Sequence, residues 1–375
     1  MSVCAPRQLQ LFLAENRLKC WSADFQTQVA TATHSVPLIA HTAAINPDCL
    51  WYAENGRFHR AGRTPMRVLH SLMGGGDGAA NLQALTMLPA EYAAARFLGE
   101  CLLPPGVVGP DTKDPQTNQI ATIARSLSSQ RGRPLRVVDF GAGVGRLLST
   151  LVTQAPDSDV LQFVDYRALE PDKSKHEDLL REIKSVYGSD IERRIFADEY
   201  SMKAGLDPQS VDLIVMCNVL HEISPDHWPD LFAPTHPLMT ILSDQGYILI
   251  VEDYGLATGE RAHEYGFILL DEPELTSLFQ IKEADRASNT FIRVQSEIPK
   301  FGNRLVAHAV SRECVKRVSQ DSIYASIQGL NNRMLDAVRD YIKSPPDTSN
   351  STTARDYAKN AQLFTNTAIW LAARR

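Results

Sequence analysis

Leu135-Arg136-Val137-Val138-Asp139-Phe140-Gly141-Ala142-Gly143-Val144-Gly145-Arg146 is an apolar run that breaks into alternating glycines, with Leu147-Leu148-Ser149-Thr150-Leu151-Val152 beyond it. The first six residues read as a short apolar strand and the last six as the start of a helix. Glycines between a strand and a helix let the backbone turn sharply and approach a ligand closely. The exposed amides at the helix start favour a carboxylate or a phosphate. Such a loop alone fits a dinucleotide as well as other cofactors. Its spacing sorts them. The dinucleotide fingerprint G-x-G-x-x-G starting at Gly141 needs glycine at 146, where Arg146 stands, and the third glycine comes one residue early, at Gly145.

Outward from the loop the pattern is regular. A second strand reads over 166–169, then a strongly charged helix over 172–187. A third strand covers 194–197, and Val211–Cys217 is a fourth. That fourth run is nearly all apolar, as a strand buried on both faces should be. A helix over 225–242 and a fifth strand over 247–251 follow. Alternating strands and helices imply a parallel sheet with helices on both faces. Two more strands, 290–294 and 304–310, have no long helix between them and are expected as an antiparallel pair at the sheet edge. The fold class expected is therefore α/β, a doubly wound, mostly parallel seven-stranded sheet with mainly helical additions at both ends.

With Asp139 two positions before Gly141, the segment resembles the class I S-adenosylmethionine-dependent methyltransferases, whose first motif is an apolar strand, an acid and G-x-G-x-G. The resemblance covers roughly 130–310, about half of the chain. It implies S-adenosylmethionine as cofactor, with Asp139, Gly141, Gly143 and Gly145 around its methionine part. The family places an acid at the end of the second strand to hold both ribose hydroxyls. Glu170, in Tyr166-Arg167-Ala168-Leu169-Glu170, matches it, and a carboxylate accepts from two vicinal hydroxyls at once. The alternative for Glu170 is an acid at a helix N-terminus before Pro171. An acid after the third strand contacts the adenine amine in the family, and Asp198 matches that position; read alone it is a helix cap. Asn218 falls at the end of the fourth strand, the edge where open α/β sheets bind ligands.

Asn218-Val219-Leu220-His221 departs from the Asn/Asp-Pro-Pro-aromatic motif of the amino-methylating enzymes of nucleic acids. Val219-Leu220-His221-Glu222, followed by a helix and by Gly246-Tyr247-Ile248-Leu249-Ile250-Val251-Glu252, is similar to small-molecule O-methyltransferases. The resemblance then implies in-line methyl transfer, in which positioning dominates, aided by a base near neutral pKa. His221, assisted by Glu222, is the candidate base or acceptor-orienting group, the alternative being that it caps the loop after the fourth strand. His263 is the only histidine near the position that the plant-type members use. The expected acceptor is a small molecule methylated at oxygen. A protein or RNA substrate met by a basic C-terminal extension is a second reading, and a cofactor-fold scaffold without turnover a third.

Composition bounds the remainder. The net charge of -6 does not advertise nucleic-acid binding for the whole chain, but residues 300–375 carry twelve Lys/Arg against six Asp/Glu. Six scattered cysteines form no C-x-x-C pair, and Asp226-His227 and His236 make no metal spacing, so no metal is expected. No apolar run approaches a membrane span and no secretory pattern opens the chain, so a soluble cytoplasmic protein is expected. Arg57, Arg60, Arg63 and Arg67 cluster locally. The chain divides into an N-terminal segment over 1–118, a cofactor-binding core over 119–311 and a helical extension over 312–375. The first segment carries a hairpin about Asn55-Gly56, a glycine break at 74–78, a helix over 81–100 and a proline- and glycine-rich connector over 104–118. It is expected to cover the pocket or to build a homodimer. The extension carries a helical stripe beyond Ser311, a loop over 344–353 and a last helix.

Overall fold

The computed structural model describes residues 51–54, 57–60, 114–154, 162–191, 193–253, 267–294 and 305–343, with separate positions at 263, 265 and between 359 and 374. The glycine break at 74–78, the helix over 81–100 and the loop over 344–353 lie outside the described residues, as do the side chains of Arg57, Arg60, Arg63 and Arg67. Contacts divide the chain into two units, Val107–Tyr254 with Leu269–Ile327, and Met1–Gly106 with Gly255–Ile268 and Gln328–Arg375.

In the second of these, β1 (Trp51–Glu54) and β2 (Arg57–Arg60) pair antiparallel from Trp51↔Arg60 to Glu54↔Arg57, the hairpin expected about Asn55-Gly56. Asn366 Nδ2 donates to Phe267 O at 2.9 Å, and Asn331 Nδ2 to Thr367 Oγ1 at 3.0 Å.

The first unit holds the sheet: β3 (Leu135–Phe140), β4 (Val164–Leu169), β5 (Ile195–Phe196), β6 (Val211–Cys217), β7 (Leu242–Asp253), β8 (Phe291–Arg293) and β9 (Leu305–Ser311). Their spatial order is β5-β4-β3-β6-β7-β9-β8. All pairs from β5 to β7 are parallel, whereas β9 runs antiparallel to both β7 and β8. The doubly wound, mostly parallel seven-stranded sheet is thus present, and the antiparallel pair stands at its edge. One detail differs from the sequence order: β9 inserts between β7 and β8. The chain runs outward from β3 to β5 and then returns to β6, which makes the β3/β6 crevice the topological switch point.

The helices are α1 (Pro115–Arg131), α2 (Arg146–Gln154), α3 (His176–Tyr187), α4 (Glu199–Gly205), α5 (Trp228–Leu231), α6 (Pro237–Ile241), α7 (Glu272–Leu278), α8 (Glu283–Ala287), α9 (Arg312–Val315) and α10 (Gln320–Lys343). Strand side chains alternate, and so do the two cores. Val137, Tyr166, Leu213, Leu249 and Ala307 face one way, with Ile120 and Leu127 of α1, Leu148 of α2 and Ile183 of α3. Val138, Ile214, Ile250 and Val310 are buried on the other face. At the N-terminal edge Asp212, 1% exposed, accepts from Arg133 Nη1 at 2.7 Å, from Arg136 N at 2.9 Å and from the Arg131 guanidinium.

Two stretches differ from their sequence reading. The connector read over 104–118 gives way to α1 at Pro115. Asp114 caps it, accepting from Gln116 N and Thr117 Oγ1, both at 3.0 Å. Proline at the first helical position loses nothing, because that amide has no helical partner. The single helix read over 225–242 is the pair α5 and α6. Pro229, Pro234 and Pro237 each lack an amide hydrogen, and no continuous helix survives three such gaps.

Candidate active site

β3, β4, β5, β6 and β7 end along one edge, and the residues that follow them lie there together. The loop after β3 is held by Gly141 N and Ala142 N donating to Leu169 O at 2.9 and 3.0 Å. Gly141, Gly143 and Gly145 have φ of +79°, +59° and +88°, which L side chains rarely adopt. They differ in surroundings. A Cβ at Gly141 would meet Val219 Cγ2 at 2.8 Å, and one at Gly145 would meet Leu179 Cδ1 at 3.1 Å, whereas one at Gly143 would meet nothing within 4 Å among the described residues. Gly141 and Gly145 therefore allow close packing inside the protein, and Gly143 leaves an open face.

Asp139 lies beneath this loop, 3% exposed, and accepts from Tyr166 Oη at 2.7 Å. Burial pushes its carboxyl up to about 6, opposed by the Tyr166 hydrogen bond and by the positive charge of Arg146. Glu170 is also buried. Its Oε2 accepts from Gly143 N at 2.6 Å and its Oε1 from Asp172 N at 2.8 Å, with Lys175 Nζ 3.8 Å away. The carboxylate thus already accepts from the amide of the glycine whose Cβ direction is open. Asp198 is exposed and caps α4, accepting from Ser201 N at 2.7 Å in a capping box; that backbone hydrogen bond holds its carboxyl below the usual range.

Asn218 takes φ +58° at the end of β6. Its Oδ1 accepts from Asp253 N at 3.1 Å and from Gln116 Nε2 at 2.9 Å, and its Nδ2 donates back to Gln116 Oε1 at 3.1 Å. A reciprocal amide pair therefore ties the first turn of α1 to the ends of β6 and β7. Arg146, the residue at the missing fourth glycine position, sits 3.6 Å from Asp114 of the same cap.

His221 lies in a short 3-10 turn, Leu220–Glu222, and is 4% exposed. Its Nδ1 is 2.5 Å from Glu252 Oε2, and its backbone N donates to Glu252 Oε1 at 3.3 Å. Glu252 is 1% exposed. The carboxylate on the histidine is thus Glu252, while Glu222, its sequence neighbour, is exposed. The reason is register. β6 and β7 are parallel with Cys217 opposite Val251, so the residues just after β6 meet Glu252 across the strand pair. His263 belongs to the other unit, where its Nδ1 accepts from Tyr265 N at 3.2 Å.

Glu252, Gln116, Asp114 and Tyr166 were not singled out as site residues by sequence. Asp114-Pro115 carried a signal of its own, a capping residue followed by proline at the first helical position. Among the described residues no cluster of His, Cys, Asp and Glu can hold a metal, and no helix is long and apolar enough to cross a membrane.

No family model matches the chain, and no curated protein matches it. Solved structures do. A 1,6-didemethyltoxoflavin-N1-methyltransferase from Burkholderia thailandensis, solved with S-adenosylhomocysteine, is 20% identical over 53% of this chain and 78% of its own, with a TM-score of 0.34. An S-adenosylmethionine-dependent methyltransferase from Aquifex aeolicus is 14% identical over 53% of this chain and all of its own, at 0.30. Another from Archaeoglobus fulgidus is 13% identical over 37% of this chain and 53% of its own, at 0.25, so the chain spans about half of that protein's length.

Proposed function

We propose that this chain binds S-adenosylmethionine and transfers its methyl group to an oxygen of a small-molecule acceptor. The observation that carries the reading is the buried His221–Glu252 pair beside the glycine loop. Gly141 is packed so closely on Val219 that a Cβ would overlap it, and His221 follows two residues later.

The residues suit the cofactor. Gly143 turns an open face outward where a side chain would intrude, and the Glu170 carboxylate lies against the same amide. Glu170 is the group for the ribose hydroxyls, and the loop amides suit the methionine end. When bound, the cofactor supplies an electrophilic methyl on a positively charged sulfur. The chain's own part is to orient the acceptor and to take its proton. Glu252 accepts from Nδ1–H of His221, which fixes the tautomer that leaves Nε2 as the basic nitrogen. The carboxylate also stabilises the imidazolium once the proton has moved, the division of labour of a base and its orienting acid. Burial of both groups keeps water from competing for that proton.

The test is calorimetry with S-adenosylhomocysteine, together with label transfer from S-adenosylmethionine to a panel of phenols, carboxylic acids and aliphatic alcohols. His221→Ala is expected to lower turnover by about a hundredfold or more with ligand affinity kept. Glu252→Gln, which keeps the shape and removes the charge, should act in the same direction. Absence of binding by both ligands sinks the cofactor reading. Label entering RNA or protein in place of the panel sinks the acceptor reading, and unchanged turnover in His221→Ala removes the base.

A further inference from the structure

Tyr166 has no place in that scheme, yet it is buried at 0% exposure with its hydroxyl 2.7 Å from Asp139 Oδ2. The pairing follows from register. β3 and β4 are parallel with Val137 opposite Tyr166, so both side chains leave the same face of the sheet, under α1, α2 and α3. Tyr166 N in turn accepts nothing but donates to Tyr187 Oη of α3 at 2.9 Å, which braces the strand at that point.

We propose that Tyr166 is a positioning residue that keeps the Asp139 carboxylate ionised and aimed beneath the glycine loop, and thereby sets how acidic a medium the cofactor site tolerates. The inference rests on the cofactor reading above. A phenol hydrogen-bonded to a buried carboxylate stays a neutral donor, and burial with Asp139 beside it raises the Tyr166 hydroxyl well above its ordinary value. It can therefore donate throughout the working range and never compete for the negative charge. The charged and titratable groups that face Asp139 are Tyr166 from β4, Arg146 from α2, Glu170 after β4 and Cys217 from β6. Only Tyr166 is in hydrogen-bond contact with it among these. Arg146 supports ionisation from a partly exposed position, Glu170 opposes it, and the Cys217 thiol is held neutral by burial.

An ionised Asp139 favours a cationic ligand on the loop, because the low-dielectric surroundings leave the charge poorly screened. S-adenosylmethionine carries positive charge on both its amine and its sulfur, and S-adenosylhomocysteine on its amine alone. Affinity for both should fall as Asp139 takes up a proton, and more steeply for the former.

The experiment is calorimetric affinity for the two ligands from pH 5 to pH 8, in wild type and in Tyr166→Phe. Wild type is expected to lose affinity through a limb centred near the Asp139 value of about 6. In Tyr166→Phe the limb should move up by about one pH unit, the size of one hydrogen bond to a charged group, with affinity at pH 8 within about twofold. If the phenylalanine protein does not fold, 3-fluorotyrosine at 166 keeps the hydroxyl, makes it a stronger donor and should move the limb down. Superimposable profiles in wild type and variant overturn the inference and leave the cofactor reading intact. Failure of wild type to bind either ligand at any pH overturns both.

Discussion

Alanine at Gly141, at Gly143 and at Gly145 should give three different proteins, although all three glycines share a positive φ. Each substitution places an L side chain in the left-handed region, at a cost of about 1–2 kcal/mol. Gly141→Ala adds a steric term, since its Cβ would stand 2.8 Å from Val219 Cγ2, closer than real carbons approach. Val219 is 9% exposed and precedes the His221 turn, so it cannot retreat freely. Overpacking of that kind costs about 1–3 kcal/mol, for a combined loss of about 2–5 kcal/mol. That is a large part of the stability of an ordinary domain. Gly145→Ala meets Leu179 Cδ1 at 3.1 Å and Glu182 Cβ at 3.2 Å, contacts that ease if α3 shifts by a few tenths of an ångström. Its loss should fall between the other two. Gly143→Ala meets nothing and should lose only the backbone cost, about 1–2 kcal/mol, while its methyl intrudes on the open face and weakens S-adenosylhomocysteine binding. Urea unfolding and ligand calorimetry on the three proteins separate the outcomes. A Gly143→Ala protein as unstable as Gly141→Ala, or one with undiminished ligand affinity, would refute the assignment of the open face.

Two further outcomes concern stability. His308 on β9 is 1% exposed, stacks on Phe291 at 5.2 Å between centroids, and has no hydrogen-bond partner for either ring nitrogen among the described residues, Glu272 Oε2 lying 4.0 Å off. Burial pulls its pKa down to about 4. The native state thus binds the proton later than the unfolded chain does, so this contribution is full above about pH 6.5 and is lost as pH falls toward 4. The decline is on the order of 3 kcal/mol. His308→Leu should flatten it, as read from urea midpoints at pH 7 and pH 4.5, and an unchanged slope would exclude His308 as its source. Asp212→Ala removes the acceptor shared by Arg131, Arg133 and the Arg136 amide and should cost about 2–3 kcal/mol. Because the clamp sits at the N-terminal edge of the sheet, ligand affinity should stay unchanged, and a large affinity loss would contradict that separation.

What the sequence disclosed follows from how local each signal is. Val211–Cys217 has the bounds that its nearly all apolar run implied, because a strand covered on both faces needs apolar residues along most of its length, with Asp212 the one exception at its start. β3 and its loop were legible because an apolar run, an acid and spaced glycines are all local. The single helix over 225–242 did not hold because Pro229, Pro234 and Pro237 divide that stretch into α5 and α6. Glu252 escaped for another reason. Its partnership with His221 depends on the register of two parallel strands joined by α5 and α6, and sequence proximity favoured Glu222 instead. The Asp139–Tyr166 and Asn218–Gln116 pairs are likewise products of register and of helix docking, and no short window of sequence contains either.

The reversed strand has a consequence for the order in which the fold assembles. β9 is the neighbour of both β7 and β8, from Leu249↔Ala309 on one side to Ile292↔Ala309 on the other. As the chain emerges from synthesis, β7 keeps one edge unpaired and β8 has no strand to join until residues 305–311 arrive. The outermost strand of the sheet is therefore made early but seated late. Non-local pairing of this sort is slow, and an unsealed strand edge is where a nascent chain is exposed to association with its neighbours. Truncation before Leu305 would remove more than one strand's worth of sheet, since β8 would lose its place along with β9.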